Sequence, residues 1–146
     1  MRSEAEVRAA IVAEAMSWMG TPFHHAARVK GAGVDCAQLL IAVYAGAGLI
    51  EAFPVPHYPS DWAVHRDEPR FLQTMLEYCR PVDPPSPGDL ALFQYGRTPS
   101  HGGIWLPGNR LLHAWIDEGR VTISDLPGSP LEARLHGYFR WRGFSQ

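Results

Sequence analysis

Two cysteines and seven histidines are the residues best suited to nucleophilic or proton-transfer chemistry in this chain, and their settings differ. Cys36 follows Gly33-Val34-Asp35 and leads into the apolar run that holds Leu39, Leu40 and Val43. That pattern predicts a helix whose first turn carries the thiol. Unpaired backbone N–H groups and the helix dipole favour negative charge there, so the thiol pKa is expected below its usual ~8.5. Asp35 suits the N-cap position, and the glycine before it lets a substrate backbone come close. A cysteine opening an apolar helix is more often simply packed, so Cys36 alone carries little weight. Cys79 reads as a small buried hydrophobe closing an amphipathic helix. Two cysteines permit one disulfide but make no disulfide framework.

The histidines add the weight. His101 opens the strand-like segment His101–Leu106, and His113 lies inside a second one, Leu111–Ile116, with the turn residues Pro107-Gly108-Asn109 between them. A two-residue loop would pair Pro107 with Arg110 and put the two histidines on opposite faces. An odd loop such as 107–109, or one β-bulge, restores a common face, and one of these devices is predicted. On that shared face His101 takes the Cys36 proton and returns it to a leaving amine, while His113 fixes the tautomer and orientation of His101. Zinc bound by Cys36, His101, His113 and one of His24 or His25 is the weaker alternative. The sequence has no CxxC or HxxxH spacing, so neither a metal nor a cofactor is expected. His57, His65 and His136 have no partner that sequence identifies; Trp62, Trp105 and Trp115 read as core or groove-lining residues.

The elements that must position these groups change period midway. Ser3 and Glu6 have capping-box spacing, and Val7, Ile11, Ala15 and Trp18 recur at helical intervals, predicting a helix over 4–19 stopped by Gly20 and Pro22. A loop rich in Ala and Gly precedes the Cys36 helix, which runs toward Gly46 or Gly48 and is apolar nearly all round. Residues 51–66 read as irregular and 67–79 as a third helix. Pro81–Gly88, with Pro84, Pro85 and Pro87, reads as an irregular hinge. Beyond it, Leu90–Tyr95, His101–Leu106, Leu111–Ile116, Arg120–Leu126 and Tyr138–Trp141 are strand-like. Helices first and antiparallel strands afterwards predict one α+β domain over 1–146, with a helical half at about 1–80. The sheet half, about 88–146, should carry five to six strands.

Composition narrows the function. At 146 residues, with 46% apolar and 19% charged side chains, the chain suits one folded domain. A formal charge of −2, with no basic cluster, argues against nucleic-acid binding. The first residues carry Glu4, Glu6 and Arg8 where a signal peptide needs an apolar stretch. The apolar run Leu39–Ile50 falls short of the ~20 residues that span a bilayer. No membrane insertion is expected, and any action outside the cytoplasm needs another delivery route.

Taken in order, Trp18-Met19-Gly20-Thr21-Pro22-Phe23, Asp35-Cys36, Pro87-Gly88-Asp89-Leu90, Ser100-His101-Gly102-Gly103-Ile104 and Leu112-His113-Ala114 resemble the signature of the NlpC family of bacterial cell-wall cysteine peptidases. The resemblance covers nearly the whole chain. It implies a papain-like fold with Cys36, His101 and His113 as the catalytic set, acting on an amide of the peptidoglycan stem peptide. It also implies a substrate-contacting role for Asp35. His25, Lys30-Gly31-Ala32-Gly33 and Tyr58-Pro59-Ser60-Asp61-Trp62 are similar to the branch encoded among tail genes of phages and gene transfer agents. That implies a tail-tip hydrolase, partnered by tail hub or baseplate proteins, which opens the cell wall for DNA passage and is delivered by the particle. Three positions depart from the family pattern. Ala37 and Gln38 stand where many members have Ser and Gly, and Phe23 where the family has a Tyr linked to oxyanion stabilisation. Phe23, Ala37, Asp35 and His25 are thus the expected substrate-binding positions, and the oxyanion is left to backbone N–H groups such as that of Cys36.

Overall fold

The computed structural model describes residues 2–53, 77–95 and 98–144. Its first element is helix α1, Glu4–Met16. Ser3 and Glu6 form the capping box, with the Glu6 N–H donating to Ser3 Oγ at 3.1 Å and the Ser3 N–H donating to the Glu6 carboxylate at 2.9 Å. Val7, Ile11 and Ala15 make its buried stripe. The helix stops short of the predicted residue 19. Ser17 Oγ donates to the Glu14 carbonyl at 2.6 Å, a local bond that competes with the helical ladder. Gly20, at φ 81°, then turns the chain.

The Ala/Gly-rich segment, read from sequence as loop, contains a two-stranded antiparallel ribbon of β1 (Arg28–Val29) and β2 (Gly33–Val34). Helix α2 follows at Cys36–Gly46 and buries Gln38, Leu39, Leu40, Ile41, Val43 and Tyr44. Of the third predicted helix only Glu77 and Tyr78 are described as helical. The rest of it, the irregular stretch through residue 66, His57, His65 and the Tyr58–Trp62 segment lie outside the described residues, apart from residues 51–53.

Six strands complete the fold: β3 (Cys79–Val82), β4 (Leu90–Tyr95), β5 (Thr98–Leu106), β6 (Arg110–Trp115), β7 (Arg120–Asp125) and β8 (Leu135–Trp141). They form one antiparallel sheet in the order β3-β8-β4-β5-β6-β7. Two sequence expectations need correcting here. Cys79 is buried but opens β3 instead of closing a helix. Pro81 lies within that strand, paired with Phe139, so the sheet begins well before Gly88. Proline is tolerated because β3 is an outermost strand, where a missing ladder donor costs little.

One face of the sheet packs on the helices: Leu90, Leu92, Ile104, Leu112 and Phe139 meet Ile11, Leu39, Leu40 and Val43 in a single cluster. The opposite face gathers Ala91, Phe93, Trp105, Leu111, Leu126 and Leu131. Burial of each such Leu, Ile or Phe contributes about 1.5–3 kcal/mol. An ion cluster fixes α1 to the sheet. The fully buried Asp89 carboxylate accepts from Arg8 Nη1 at 3.0 Å and from Arg140 Nη2 at 2.8 Å. Among the described residues the result is the expected α+β architecture, with helices α1 and α2 against a six-stranded antiparallel sheet.

Candidate active site

β5 and β6 pair as Ile104↔Leu112, Trp105↔Leu111 and Leu106↔Arg110, which leaves the three-residue loop 107–109. Gly108 and Asn109 adopt positive φ there, 84° and 57°, a conformation that glycine and asparagine tolerate. This odd loop, one of the two predicted devices, turns both histidines to one face. His101 Nε2 lies 2.7 Å from His113 Nδ1. The space between the strands is made by Gly103: a Cβ there would collide with Leu111 Cδ1, come within 2.8 Å of the Leu112 carbonyl oxygen and sit 3.1 Å from His113 Cβ. His113 is fully buried, stacks on Trp115 at 5.1 Å, and its Nε2 lies 2.9 Å from Ser124 Oγ on β7.

The thiol approaches from α2. Asp35 caps the helix, its Oδ1 accepting the Gln38 N–H at 2.9 Å. The two helix N–H groups left over, those of Cys36 and Ala37, are directed at the sulfur, as is the Gly102 N–H. The thiol in turn donates to the Ser100 carbonyl at 3.4 Å. β6 joins β5 only over Ile104–Leu106, although β5 starts at Thr98. In a strand the carbonyl of one residue and the N–H two residues on point to the same edge. The sulfur therefore takes up the backbone groups on either side of His101.

Charge balance in this enclosure corrects the sequence expectation. Cys36 is a half-buried residue, yet its sulfur is enclosed. Loss of solvation, reinforced by the Asp35 carboxylate, pushes the thiol up to about 12 against the three N–H groups that favour a thiolate. Desolvation outweighs the helix terminus. Burial likewise holds His101 down at about 4. It holds His113 at about 3, with the His101 charge adding to the effect. Burial thus favours the neutral form of the thiol and of both imidazoles. His101 Nε2 is engaged by His113 and its Nδ1 is the other ring nitrogen.

The remaining predicted residues surround this set. Asp35 is buried, and besides capping α2 its Oδ2 accepts the Ala26 N–H at 2.7 Å and lies 4.0 Å from His25 Nδ1. Phe23 donates its N–H to the Gly119 carbonyl at 2.8 Å and bridges Val34, which holds it beside the Asp35-Cys36 junction. Ala37 packs its methyl on the core. The zinc alternative does not match the arrangement: the facing nitrogens of His101 and His113 share a hydrogen bond and do not converge on an ion. Among the described residues no group of three His, Cys, Asp or Glu side chains could hold a metal. Sequence reasoning missed Ser124, Ser100 and Gly102. The signal for Ser124 was the four-residue turn 116–119: pairing Trp115 with Arg120 brings Thr122 and Ser124 to the His113 face.

The NlpC/P60 family model matches residues 20–140. No protein with a curated description matches the chain. Among solved structures, an NLP/P60-family protein similar to lipoprotein from Staphylococcus aureus superposes with a TM-score of 0.67 at 22% identity, covering 97% of this chain and 43% of that one. The NlpC/P60 domain of the peptidoglycan hydrolase SagA gives 0.54 at 22% identity, covering 82% of this chain and 89% of that domain. The peptidoglycan hydrolase RipB of Mycobacterium tuberculosis gives 0.63 at 19% identity, covering 99% and 70%. These likenesses show the papain-like fold. The chain spans less than half the length of the S. aureus protein.

Proposed function

The chain belongs to the NlpC/P60 family, and we propose that it is a cysteine peptidase cutting an amide bond in peptidoglycan stem peptides. The observation that carries this reading is the continuous arrangement of Cys36 on the backbone flanking His101, and of His101 on His113 at 2.7 Å. The names of SagA and RipB as peptidoglycan hydrolases support the substrate class.

In the proposed reaction Cys36 Sγ attacks the scissile carbonyl carbon while its proton passes to His101 Nδ1. Burial favours the neutral thiol and the neutral imidazole, which suits a proton transfer that accompanies attack. The oxyanion is held by backbone N–H groups at the start of α2, since the Phe23 ring offers no hydroxyl. His101 then gives its proton to the leaving amine, and water hydrolyses the thioester. Asp35, His25, Phe23 and Ala37 form the surrounding substrate-binding wall.

The similarity of His25 and Lys30-Gly31-Ala32-Gly33 to the tail-gene branch supports a place at the tip of a phage-like tail, next to hub or baseplate proteins. There the enzyme would act in the periplasm or cell wall. Co-sedimentation with tail particles tests that placement. The enzymatic reading is tested with Cys36→Ala, which should abolish turnover of purified sacculi while leaving the circular dichroism spectrum unchanged. Turnover equal to wild type in that variant overturns it. Inactivity of both proteins on sacculi would instead favour a structural tail component that kept the fold without the chemistry.

A further inference from the structure

We propose that Ser124 is a positioning residue, whose hydroxyl oxygen accepts the His113 Nε2 proton and thereby selects the tautomer in which His101 serves as a base. The inference deepens the peptidase reading and rests on it. A neutral imidazole carries one donor and one acceptor. Since His113 is fully buried and each of its nitrogens faces one partner, only two closed patterns exist. In the first, His113 Nε2–H donates to Ser124 Oγ, His113 Nδ1 accepts from His101 Nε2–H, and His101 Nδ1 presents a lone pair. In the second every bond is reversed. Ser124 O–H donates to His113, His113 Nδ1–H donates to His101 Nε2, and His101 Nδ1 carries a hydrogen and can accept nothing from a thiol.

Proton uptake by His101 decides between them. The imidazolium must donate through Nε2 to His113 Nδ1, which forces the His113 hydrogen onto Nε2, and a buried N–H without an acceptor is costly. Ser124 Oγ, at 2.9 Å, is that acceptor. The hydroxyl reaches it from β7, where Ser124 stands opposite Leu111, two pairs beyond the His113↔Thr122 pair and on the same face. One proton moves, from Cys36 Sγ to His101 Nδ1, and none crosses the His113–Ser124 bond. In Ser124→Ala the cheaper arrangement leaves His113 Nε2 as a bare lone pair with its hydrogen on Nδ1, which is the unproductive pattern.

The test combines 15N-histidine NMR near neutral pH with steady-state kinetics on a soluble stem peptide, for wild type, Ser124→Ala and Ser124→Thr. Wild type should show His113 protonated at Nε2 and His101 unprotonated at Nδ1. Ser124→Ala should shift both rings toward the opposite tautomers and lower kcat about tenfold at unchanged KM, with Ser124→Thr restoring both. Imidazole spectra identical in wild type and Ser124→Ala, or an unchanged kcat, overturn the proposal. Should Cys36→Ala refute the peptidase reading, the NMR comparison still decides the tautomer assignment by itself.

Discussion

His101 and His113 meet nitrogen to nitrogen at 2.7 Å although they stand on different strands and are not paired across the ladder. Two local features allow it. The odd loop 107–109 turns their side chains to one face, and Gly103 leaves the space beside His113 empty. The contact between the two imidazoles is thus a product of hairpin register.

Removing the partner isolates the base. In His113→Ala the buried His101 Nε2 loses its acceptor, so the ring no longer favours the tautomer that exposes Nδ1. We expect kcat to fall roughly 10²-fold with a small change in KM. Replacement by Asn, whose amide oxygen can accept from Nε2, should recover part of the loss. Steady-state kinetics on a soluble stem peptide checks both variants.

The pH dependence of stability has a defined sign. His101 and His113 are held neutral in the fold, at about 4 and about 3, whereas the unfolded chain takes up protons near 6.5. The unfolded state binds more protons between those limits, so stability is complete above pH 6.5 and is lost as the pH falls toward 4. For His101 alone the effect is about 3 kcal/mol. Cys36 and Cys79 act on the other side. Each is pushed up to about 12 by burial, so the unfolded chain releases thiol protons first and stability declines above pH ~9. Urea midpoints should therefore plateau between pH 6.5 and 9 and drop on both sides, with a shallower acid limb in His101→Gln.

Asp89 holds Arg8 and Arg140 at the junction of α1 with the sheet. Asp89→Ala leaves two largely buried guanidinium groups without their carboxylate. We expect a loss of about 3–5 kcal/mol, read as a lower urea midpoint. Arg8 also lies 4.4 Å over the Phe144 ring, so the change should loosen the C-terminal segment as well.

Gly103→Ala places a methyl against Leu111 and the Leu112 carbonyl. Backbone cannot yield as a flexible side chain does, so β6 must move. The expected cost is about 1–3 kcal/mol, and activity should fall further than stability because the histidine contact opens. Comparing the denaturation midpoint with kcat separates the two effects.

The three positions proposed as catalytic could be singled out because each has a local signature: Asp35-Cys36 before an apolar helix, and His101 and His113 in alternating segments around Pro107-Gly108-Asn109. The hairpin parity could be posed from sequence as a condition, and the loop satisfies it. The thiol's charge state was not legible, since it depends on how far the sulfur is enclosed and not on its place in the helix. Ser124 was hidden because a lone serine in a strand has no signature until the β6–β7 register is known. The β1–β2 ribbon was masked by an Ala/Gly composition, and the strand through Pro81 by the rule that proline breaks sheets, which lapses at an outer strand. Helix α1 ended early because Ser17 turned back on Glu14.

The segment Gly20–Phe23 is bonded to the outer strand β7. Gly20 N–H donates to the Val121 carbonyl, Val121 N–H to the Thr21 carbonyl, and Phe23 N–H to the Gly119 carbonyl. The margin of the sheet over 119–121 is thereby already occupied by the chain's own Gly20–Phe23 segment. A foreign strand seeking to zip onto that margin would first have to peel this segment away. Protection from edge-to-edge association and the placement of Phe23 beside the start of α2 therefore depend on the same three backbone bonds, and loosening one loosens the other.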